Sequence, residues 1–375
     1  IIMHIICLQE NLKKSLNITE KIIGRNLTLP ILNNILLCIQ NNKLKISSTN
    51  LEIGISSWVS GKINQKGKIT VPAKLMSEFI SNLPNKKIEL KIKNNQLEIK
   101  CENFKANLKG LSADDFPIIP KIKDDVLVKI KASVLKNGFS QVVEMASISD
   151  TRPEISGIYI NFDNNLIKLA ATDGFRLAEK NIELDKKINK DTKNIKPIII
   201  PQRTIQELIR ILGDDNQQEQ EVEIVLSGSQ ILFDLGHTQV VSRLIEGQYP
   251  NYQQIIPNSL QTQVVVSTQE LINNVKIASL FSGKVNDIKF SVDIKKSLVE
   301  ISSKDADIGE NKSEIKAKID GKEVDVVLNF RYLLDGLNNI FSDKVIIGLN
   351  DSHKPIMIKP VGDINYTYVV MPIKA

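Results

Sequence analysis

The chain repeats one arrangement of segments three times, and this repeat limits its possible folds more than any other feature. Each copy begins with an alternating strand that runs into a polar turn: LKISSTNLEIGIS at 44–56, IKLAATDGFRLAE at 167–179 and VEISSKDADIGEN at 299–311. Asn50, Asp173 and Asp305 occupy the turn, and such side chains can hydrogen-bond to their own backbone. Each copy therefore predicts two strands joined by a turn.

Helical segments accompany every copy. An amphipathic helix is predicted before each strand pair, within 10–24, 133–147 and 268–282, and another follows it, within 69–92, 198–226 and 326–349. In the first of the later segments, Leu75, Phe79 and Leu83 recur at helical spacing before an alternating strand begins. The pattern indicates one module with two helices and many short strands.

The spacing of the copies indicates whole domains. Pro72, Pro201 and Asn329 take equivalent positions and are 129 and 128 residues apart. Solenoid units are shorter, roughly 20–50 residues, whereas this period suits globular domains with their own cores. We predict an α+β fold of three similar tandem domains, each with two helices and antiparallel sheets. Linkers at 116–126 and 255–264 give domains 1–124, 125–260 and 261–375.

Composition is that of an ordinary globular chain. Of 375 residues, 42% are hydrophobic and 25% charged, and no apolar run approaches the roughly 18 residues of a membrane helix. Cys7, Cys38 and Cys101 form no C-x-x-C pair, which favours a reducing compartment over a disulfide framework or zinc ribbon. The N-terminal segment lacks the features of a signal peptide, and Met3 is a candidate natural start, before which Ile1 and Ile2 stand. We expect a cytoplasmic protein.

No enzyme motif withstands inspection. The nearest approach to a phosphate loop, GKINQKGKI at 61–69, has five residues between its glycines, and Ile69 stands where a hydroxyl would hold magnesium. His4, His237 and His353 lie far apart without metal-ligand spacing. We predict no catalytic residues, no metal and no cofactor. The net charge of +6 is a weak indication of a nucleic-acid partner, because it is ordinarily a solvated surface.

Several collinear segments resemble the bacterial β sliding clamp family, the DNA polymerase III beta subunits. They are TLPILNNILL (28–37), TNLEIGI (49–55), TVPAKLMSEFISNLP (70–84), SADDFPIIP (112–120), ATDGFRLA (171–178), IIIPQRTIQELIRIL (198–212), SRLIEGQYPNYQQIIP (242–257) and YVVMPIKA (368–375). The resemblance runs from the first helix to the last residue and fits the threefold repeat.

The resemblance implies the DNA clamp fold and a head-to-tail homodimer, with six domains in a closed ring. Double-stranded DNA would thread the ring without sequence preference, held by encirclement while Lys and Arg attract phosphates. The implied partners are the DNA polymerase III alpha subunit, a clamp loader that hydrolyses ATP, and other replication and repair proteins that bind the cleft. The implied location is cytoplasmic, at the nucleoid during replication, without a membrane.

The resemblance also implies DNA-facing and dimer residues. DNA-facing candidates are Arg25, Lys74, Ser149, Arg152 and Arg203. Candidates for the dimer interface are Lys74, Leu108, Leu280 and Phe281. A solvated side chain remains the alternative for each DNA candidate, and ordinary core packing remains the alternative for Leu280.

A partner-peptide cleft is implied between the second and third domains. Its residues would be Ile155, Thr172, Gly174, Phe175, Arg176, Leu177, Pro250, Gln254, Ile255, His353, Pro355, Val369, Val370, Met371 and Pro372. The apolar members suit a few buried anchors of an extended peptide. A buried closing strand is the alternative for Val369 and Met371. Phe175, Gln254 and His353 depart from the residues common in the family, so the rim is altered and partner preference stays open.

Two other classes of function remain. An enzyme could assemble catalytic groups only in three dimensions, and it predicts a pocket with strongly perturbed titratable groups. A non-ring nucleic-acid-binding scaffold or a single-strand binder is the other. The single-strand binder should show aromatic stacking positions, yet aromatic residues make up only 5% without basic–aromatic interleaving.

Overall fold

Antiparallel sheets and short helices make up the chain, as the repeat predicts. The structure, a computed structural model, describes residues 3–24, 28–149, 151–185, 187–188, 195–213 and 219–373. Six α-helices lie in these ranges: α1 Gln9–Glu20, α2 Ala73–Ser81, α3 Ala132–Val142, α4 Gln202–Leu212, α5 Thr268–Ser279 and α6 Phe330–Leu337. They give two helices to each predicted domain.

Strands in the first half of the chain are short and regular. They are β1 His4–Leu8, β2 Asn34–Gln40, β3 Lys43–Thr49, β4 Ile53–Val59, β5 Gly61–Gln65, β6 Lys68–Pro72, β7 Lys87–Lys93, β8 Gln96–Cys101, β9 Phe104–Lys109, β10 Val128–Lys131, β11 Gly157–Asp163, β12 Leu166–Thr172 and β13 Arg176–Glu183.

Strands in the second half repeat this arrangement. They are β14 Ile198–Pro201, β15 Glu221–Ser227, β16 Gln230–Asp234, β17 Thr238–Arg243, β18 Thr262–Ser267, β19 Asp287–Asp293, β20 Leu298–Asp305, β21 Gly309–Lys316, β22 Lys318–Asp320, β23 Val324–Asn329, β24 Lys344–Leu349, β25 Ile356–Pro360 and β26 Tyr366–Val370.

One compact unit comprises residues 1–133 and 206–244. It holds a five-stranded sheet, ordered β5-β1-β7-β8-β9, and an eight-stranded sheet, ordered β10-β15-β16-β17-β4-β3-β2-β6. Leu12 and Leu16 of α1 pack with Met76 and Ile80 of α2 in one apolar core with the strands. Burial of these side chains, each stabilising by about 1.5–3 kcal/mol, holds the helices on the sheets.

The other compact unit comprises residues 134–205 and 245–375. Its nine-stranded sheet is ordered β14-β11-β12-β13-β26-β25-β24-β18-β22, and a four-stranded sheet is ordered β21-β20-β19-β23. Ser267 caps α5 by accepting from the Glu270 N–H at 3.4 Å, and Asn329 caps α6 by accepting from the Arg331 N–H at 2.9 Å. Gly336 of α6 lies against the Tyr368 ring, where a Cβ has no room.

The predicted second domain, 125–260, is split between the two units. Its residues 125–133 and 206–244 belong to the first unit, and 134–205 and 245–260 belong to the second. Strand β17 pairs with β4 in the first unit, and β13 pairs with β26 in the second. Strands of the middle repeat therefore continue sheets that the first and third repeats begin. The boundaries at 124 and 260 remain a proposal.

Two features are absent from the described ranges. No helix in these ranges is both long and apolar enough to cross a membrane. The same ranges hold no group of three or more His, Cys, Asp or Glu side chains arranged to bind a metal ion.

The three cysteines should differ in reactivity. Burial raises the pKa of the Cys7 thiol to about 12, so only about one molecule in 10⁴ carries the thiolate at pH 8. Burial also raises the pKa of Cys101, whereas Cys38 is only half-buried. A disulfide reagent at pH 8 should label Cys38 at least tenfold faster than Cys7, as mass spectrometry of the folded protein would show. Equal rates, or labelling of Cys7 first, would contradict the burial; urea-unfolded protein, with all three thiols equivalent, is the control.

Candidate functional site

The turn between β12 and β13 is held by its own side chains. Asp173 Oδ1 accepts from the N–H groups of Phe175 at 2.9 Å and Arg176 at 3.0 Å. Thr172 Oγ1 accepts from the Gly174 N–H at 3.0 Å and donates to the Arg176 carbonyl at 2.6 Å. Gly174 has φ of +91°, which a side chain would oppose. The predicted Asp173 turn is confirmed, and it leaves Phe175 exposed.

Arg176 connects this turn to α6. Its Nε lies 3.0 Å from Asp173 Oδ2, and another guanidinium nitrogen pairs with Asp335. The guanidinium lies 4.8 Å from the centre of the Tyr332 ring, which stacks on Phe175 at a centroid separation of 6.2 Å. A largely buried arginine therefore fixes the position of Phe175 relative to α6.

The floor beside this turn is a pair of strands. In the β13–β26 register, Leu177 lies opposite Val369 and Arg176 opposite Val370. The Met371 N–H then donates to the Phe175 carbonyl at 2.8 Å. Leu177 and Val369 pack with Ile155 in a buried apolar cluster. The closing strand is core, as the alternative interpretation of Val369 held.

Three tyrosines extend this floor. Tyr159 lies 5.2 Å from Tyr249 and 5.6 Å from Tyr252, measured between ring centroids. The Tyr252 hydroxyl donates to Glu179 Oε2 at 2.7 Å. Burial raises the pKa of Tyr252, and its hydrogen bond to Glu179 raises it further, so the hydroxyl stays a neutral donor. Sequence reasoning did not place these tyrosines in the site, although the G-x-Y-P-x-Y motif at 247–252 carries two of them.

The fifteen predicted cleft residues all lie in the second unit and separate by exposure. Buried ones are Ile155, Thr172, Leu177, Val369 and Val370. Half-buried ones are Arg176, Pro250, Pro355, Met371 and Pro372. Exposed ones are Gly174, Phe175, Gln254, Ile255 and His353. The buried members make the floor, and the three departures from the family pattern (Phe175, Gln254, His353) all fall among the exposed residues.

The candidate DNA contacts are exposed where the structure describes them. Lys74 and Arg203 lie in the first turns of α2 and α4, and Lys74 Nζ is 3.9 Å from Glu78. Arg152 Nε lies 3.3 Å from Glu154, and Ser149 Oγ lies 2.8 Å from Thr151 Oγ1. Arg25 lies outside the described residues.

The repeat adds one candidate DNA contact, Arg331, which is not among the residues that the resemblance implies. Arg331 is exposed in the first turn of α6, two residues after Asn329, as Lys74 and Arg203 follow Pro72 and Pro201. Comparing the three copies at this position would have found it.

The predicted dimer residues fall into two groups. Leu280 is 70% exposed just after α5, so it is not core, and Phe281 beside it is half-buried. Leu108 is buried in the core of the first unit. Lys74 is exposed.

In the described part of the chain, the large pKa shifts fall on Cys7 and buried tyrosines, and burial is their main cause. These groups belong to packed cores.

Tandem α+β repeats whose strands continue one another's sheets are the architecture of a DNA clamp. Sequence profiles of the N-terminal, central and C-terminal domains of the DNA polymerase III beta subunit match residues 3–120, 129–251 and 253–374. The chain belongs to the DNA polymerase III beta subunit family, whose members are sliding clamps.

Individual relatives agree along the whole length. A Staphylococcus aureus beta sliding clamp is 30% identical, with 96% of each chain aligned, and a Synechocystis one is 28% identical over 99% of each. The Bacillus subtilis sliding clamp structure superposes with a TM-score of 0.93 at 27% identity, covering 100% of this chain and 99% of that one. A Pseudomonas aeruginosa clamp bound to griselimycin gives 0.93 at 26%, covering both chains completely.

These comparisons decide between the classes of function. The predictions of a clamp fold and a sliding clamp are confirmed, and the non-ring scaffold is not favoured. The family consists of processivity factors for DNA polymerase, which are not enzymes.

Replacing Arg176 should loosen the turn that carries Phe175. Arg176→Ala removes hydrogen bonds to Asp173, Asp335 and the Glu144 carbonyl, and we expect the free energy of unfolding to fall by about 2 kcal/mol. Urea unfolding followed by circular dichroism measures it. Arg152→Ala, which removes an exposed arginine from the same unit, should change stability by less than about 0.5 kcal/mol. Equal stabilities of the two variants would refute the role of Arg176.

Proposed function

We propose that two copies of this chain close head to tail into a ring of six domains around double-stranded DNA. The ring tethers the DNA polymerase III alpha subunit and other replication and repair proteins, after a separate clamp loader has opened it. The three domains are 1–124, 125–260 and 261–375, and the ring works in the cytoplasm at the nucleoid. The observation that carries this proposal is that two of the eight outer strands in the four described sheets, one in the first repeat and one in the third, lie near exposed apolar side chains.

Strands β9 and β21 are these outer strands. In the described ranges, β9 pairs with β8 alone and β21 pairs with β20 alone. An edge strand presents unpaired N–H and C=O groups that can pair with another chain. Since β9 belongs to the first repeat and β21 to the third, joining them between two copies is a head-to-tail contact made twice.

Apolar side chains flank both edges. Phe104 and Leu111 are exposed on or next to β9. Ile308 is exposed just before β21, and Ile277 and Leu280 are exposed on or just after α5, a helix that contacts β21. Pairing the edges would remove these side chains from water. Leu108 would contribute its backbone in β9, because its side chain is already buried in the core.

Attraction to DNA would come from scattered cations and not from base readout. Lys74, Arg203 and Arg152 are exposed, and Arg331 adds a cation in the third repeat. Phosphate contacts of this kind are independent of sequence and weaken with salt. Moderate attraction suits sliding, since tight binding would oppose movement along the duplex.

The cleft in the second unit suits an extended peptide. Its floor supplies buried apolar and aromatic surface, and its rim supplies exposed Phe175 and Ile255 with flexible Met371. Extended peptides bind through a few anchors in such pockets. The polymerase and the other partners would therefore compete for one site.

A charge at the proposed seam should separate the dimer. Leu280→Asp places a carboxylate on a side chain that is 70% exposed in the protomer, so the fold should survive. Light scattering after gel filtration should give twice the 42.0 kDa chain mass for the wild type and a single chain mass for the variant.

Ile364→Asp is the matched control for the seam. Ile364 is 84% exposed in the same unit, away from both edge strands in sequence, and its variant should stay dimeric. A Leu280→Asp dimer of unchanged stability would rule out this seam.

Substitutions at the rim should weaken the partner while leaving the dimer intact. Phe175→Ala with Met371→Ala removes two anchors, and we expect the affinity for the alpha subunit to fall at least about 30-fold, which is the loss that a single hot-spot contribution of about 2 kcal/mol produces. Surface plasmon resonance measures it, with polymerase stimulation as the functional readout.

Phe341→Ala is the control for the rim. Phe341 is 79% exposed in the same unit, so the variant makes the same chemical change outside the cleft. Unchanged affinity in the rim variant, or equal losses in both variants, would remove the cleft assignment.

A further inference from the structure

The first unit contains a second turn with the hydrogen bonds of the cleft turn. Thr49 Oγ1 accepts from the Leu51 N–H at 3.0 Å and donates to the Ile53 carbonyl at 2.9 Å. Asn50 Oδ1 accepts from the Glu52 and Ile53 N–H groups at 3.1 and 2.8 Å. These bonds correspond one by one to those that Thr172 and Asp173 make at the cleft.

The neighbouring strand also repeats its register. In the β4–β17 pair, Gly54 lies opposite Val241, as Leu177 lies opposite Val369 in the β13–β26 pair. The Arg243 N–H donates to the Glu52 carbonyl at 3.0 Å, as the Met371 N–H donates to the Phe175 carbonyl. The first unit therefore contains a copy of the cleft floor, which we name the first junction (Thr49–Gly54 with Val241 and Arg243).

Equivalent linkers pass over both floors. The Leu111 N–H donates to the Thr70 carbonyl at 3.1 Å, and the Ile245 N–H donates to the Ile199 carbonyl at 2.9 Å. Each linker then carries an aromatic–Pro pair, at 116–117 in the first unit and at 249–250 in the second. The first linker packs Ile119 on a cluster that includes Val241.

The position of Gly54 and Leu177 is the difference that decides what lies above each floor. Leu177 fills the cleft floor with its own side chain, whereas Gly54 has none. A Cβ on Gly54 would lie 2.8 Å from Ile119 Cγ2 and 3.2 Å from Ile119 Cγ1. Ile119 from the linker therefore occupies the space above Gly54, and a cavity of about 90 Å³ remains around it.

We propose that the first junction is a second peptide site which the chain closes with its own linker, the segment 117–120. Ile119 acts as the built-in apolar anchor over Gly54. The site, once vacated, takes an extended segment in which a branched apolar side chain lies beside proline. This inference rests on the proposed function of the cleft, since it assigns the same mode of binding to its copy.

Two features agree with a closed binding site. Leu51 has φ of +78° at the position that Gly174 takes in the cleft turn. This conformation is strained for a leucine. Ile118, next to the anchor, is 92% exposed, so this linker does not bury every apolar side chain that it could.

The test removes the anchor and supplies the segment in trans. The probe is a fluorescent acetyl-Phe-Pro-Ile-Ile-Pro-amide, which reproduces residues 116–120. In full-length Ile119→Ala, trypsin should cleave after Lys121 or Lys123 at least tenfold faster than in the wild type. Fluorescence anisotropy titration should show one more bound probe per chain than in the wild type.

Ile118→Ala is the matched control, because it makes the same change at the adjacent, exposed isoleucine. It should match the wild type in cleavage and in probe number. Gly54→Leu, which places a side chain where Ile119 lies, should also speed cleavage at least tenfold. Cleavage of both Ile119→Ala and Gly54→Leu at the wild-type rate, or the absence of an additional probe in folded Ile119→Ala, would overturn the proposal.

These readouts are independent of the partner cleft. Phe175→Ala should leave cleavage after Lys121 and the gain of a probe in Ile119→Ala unchanged. Suppose that the rim variant, Phe175→Ala with Met371→Ala, keeps its affinity for the alpha subunit while Ile119→Ala opens the first junction. That result would refute the proposed function of the cleft and leave the proposal for the first junction standing.

Discussion

The pairing of strands between consecutive repeats is the interaction on which the rest of the structure depends. A sheet edge inside a protein must find partners for its backbone groups, and here β4 finds β17 and β13 finds β26. Each pairing merges strands of two repeats into one sheet. In the described ranges, β9 of the first repeat and β21 of the third each pair with one strand only, so under the proposed dimer their outer edges would meet the same requirement by pairing between two chains.

The proposed cleft would be a consequence of this pairing. The last strand, β26, is buried along its length, with Tyr366 and Tyr368 anchored by hydrogen bonds to the Gln141 and Tyr332 carbonyls. Only the residues that follow it reach the rim. In the proposed site, a rigid floor would therefore carry an adaptable edge, and such an edge suits more than one partner. Arg176 belongs to both parts, because it lies in the paired strand and also holds Phe175.

Local features of the sequence predicted local structure well. The predicted helix within 268–282 is α5, and the turns at Asn50, Asp173 and Asp305 all form through side-chain acceptors. These features depend on residues a few positions apart, so a periodic pattern is enough to predict them. Because the same pattern occurs in all three repeats, each prediction of a helix or turn rests on three copies of the sequence.

Features that depend on distant residues could not be predicted in this way. The Arg176–Asp335 ion pair joins residues 159 positions apart, and Ile119 meets Gly54 only because the linker crosses the sheet. Burial of Leu108 and exposure of Leu280 likewise follow from packing, although both are leucines at predicted seam positions. Whether a residue of a matched motif faces solvent depends on how distant segments pack around it, which the motif itself does not contain.

Encirclement is tested most directly by comparing DNA with and without free ends. Protein placed by a clamp loader on nicked circular duplex should remain bound through gel filtration at moderate salt, because holding the duplex inside a closed ring needs no tight grip. Cutting the circle once should release it within the same run, since the ring slides off the ends. Loss from both forms at the same rate would contradict the account and indicate ordinary electrostatic binding.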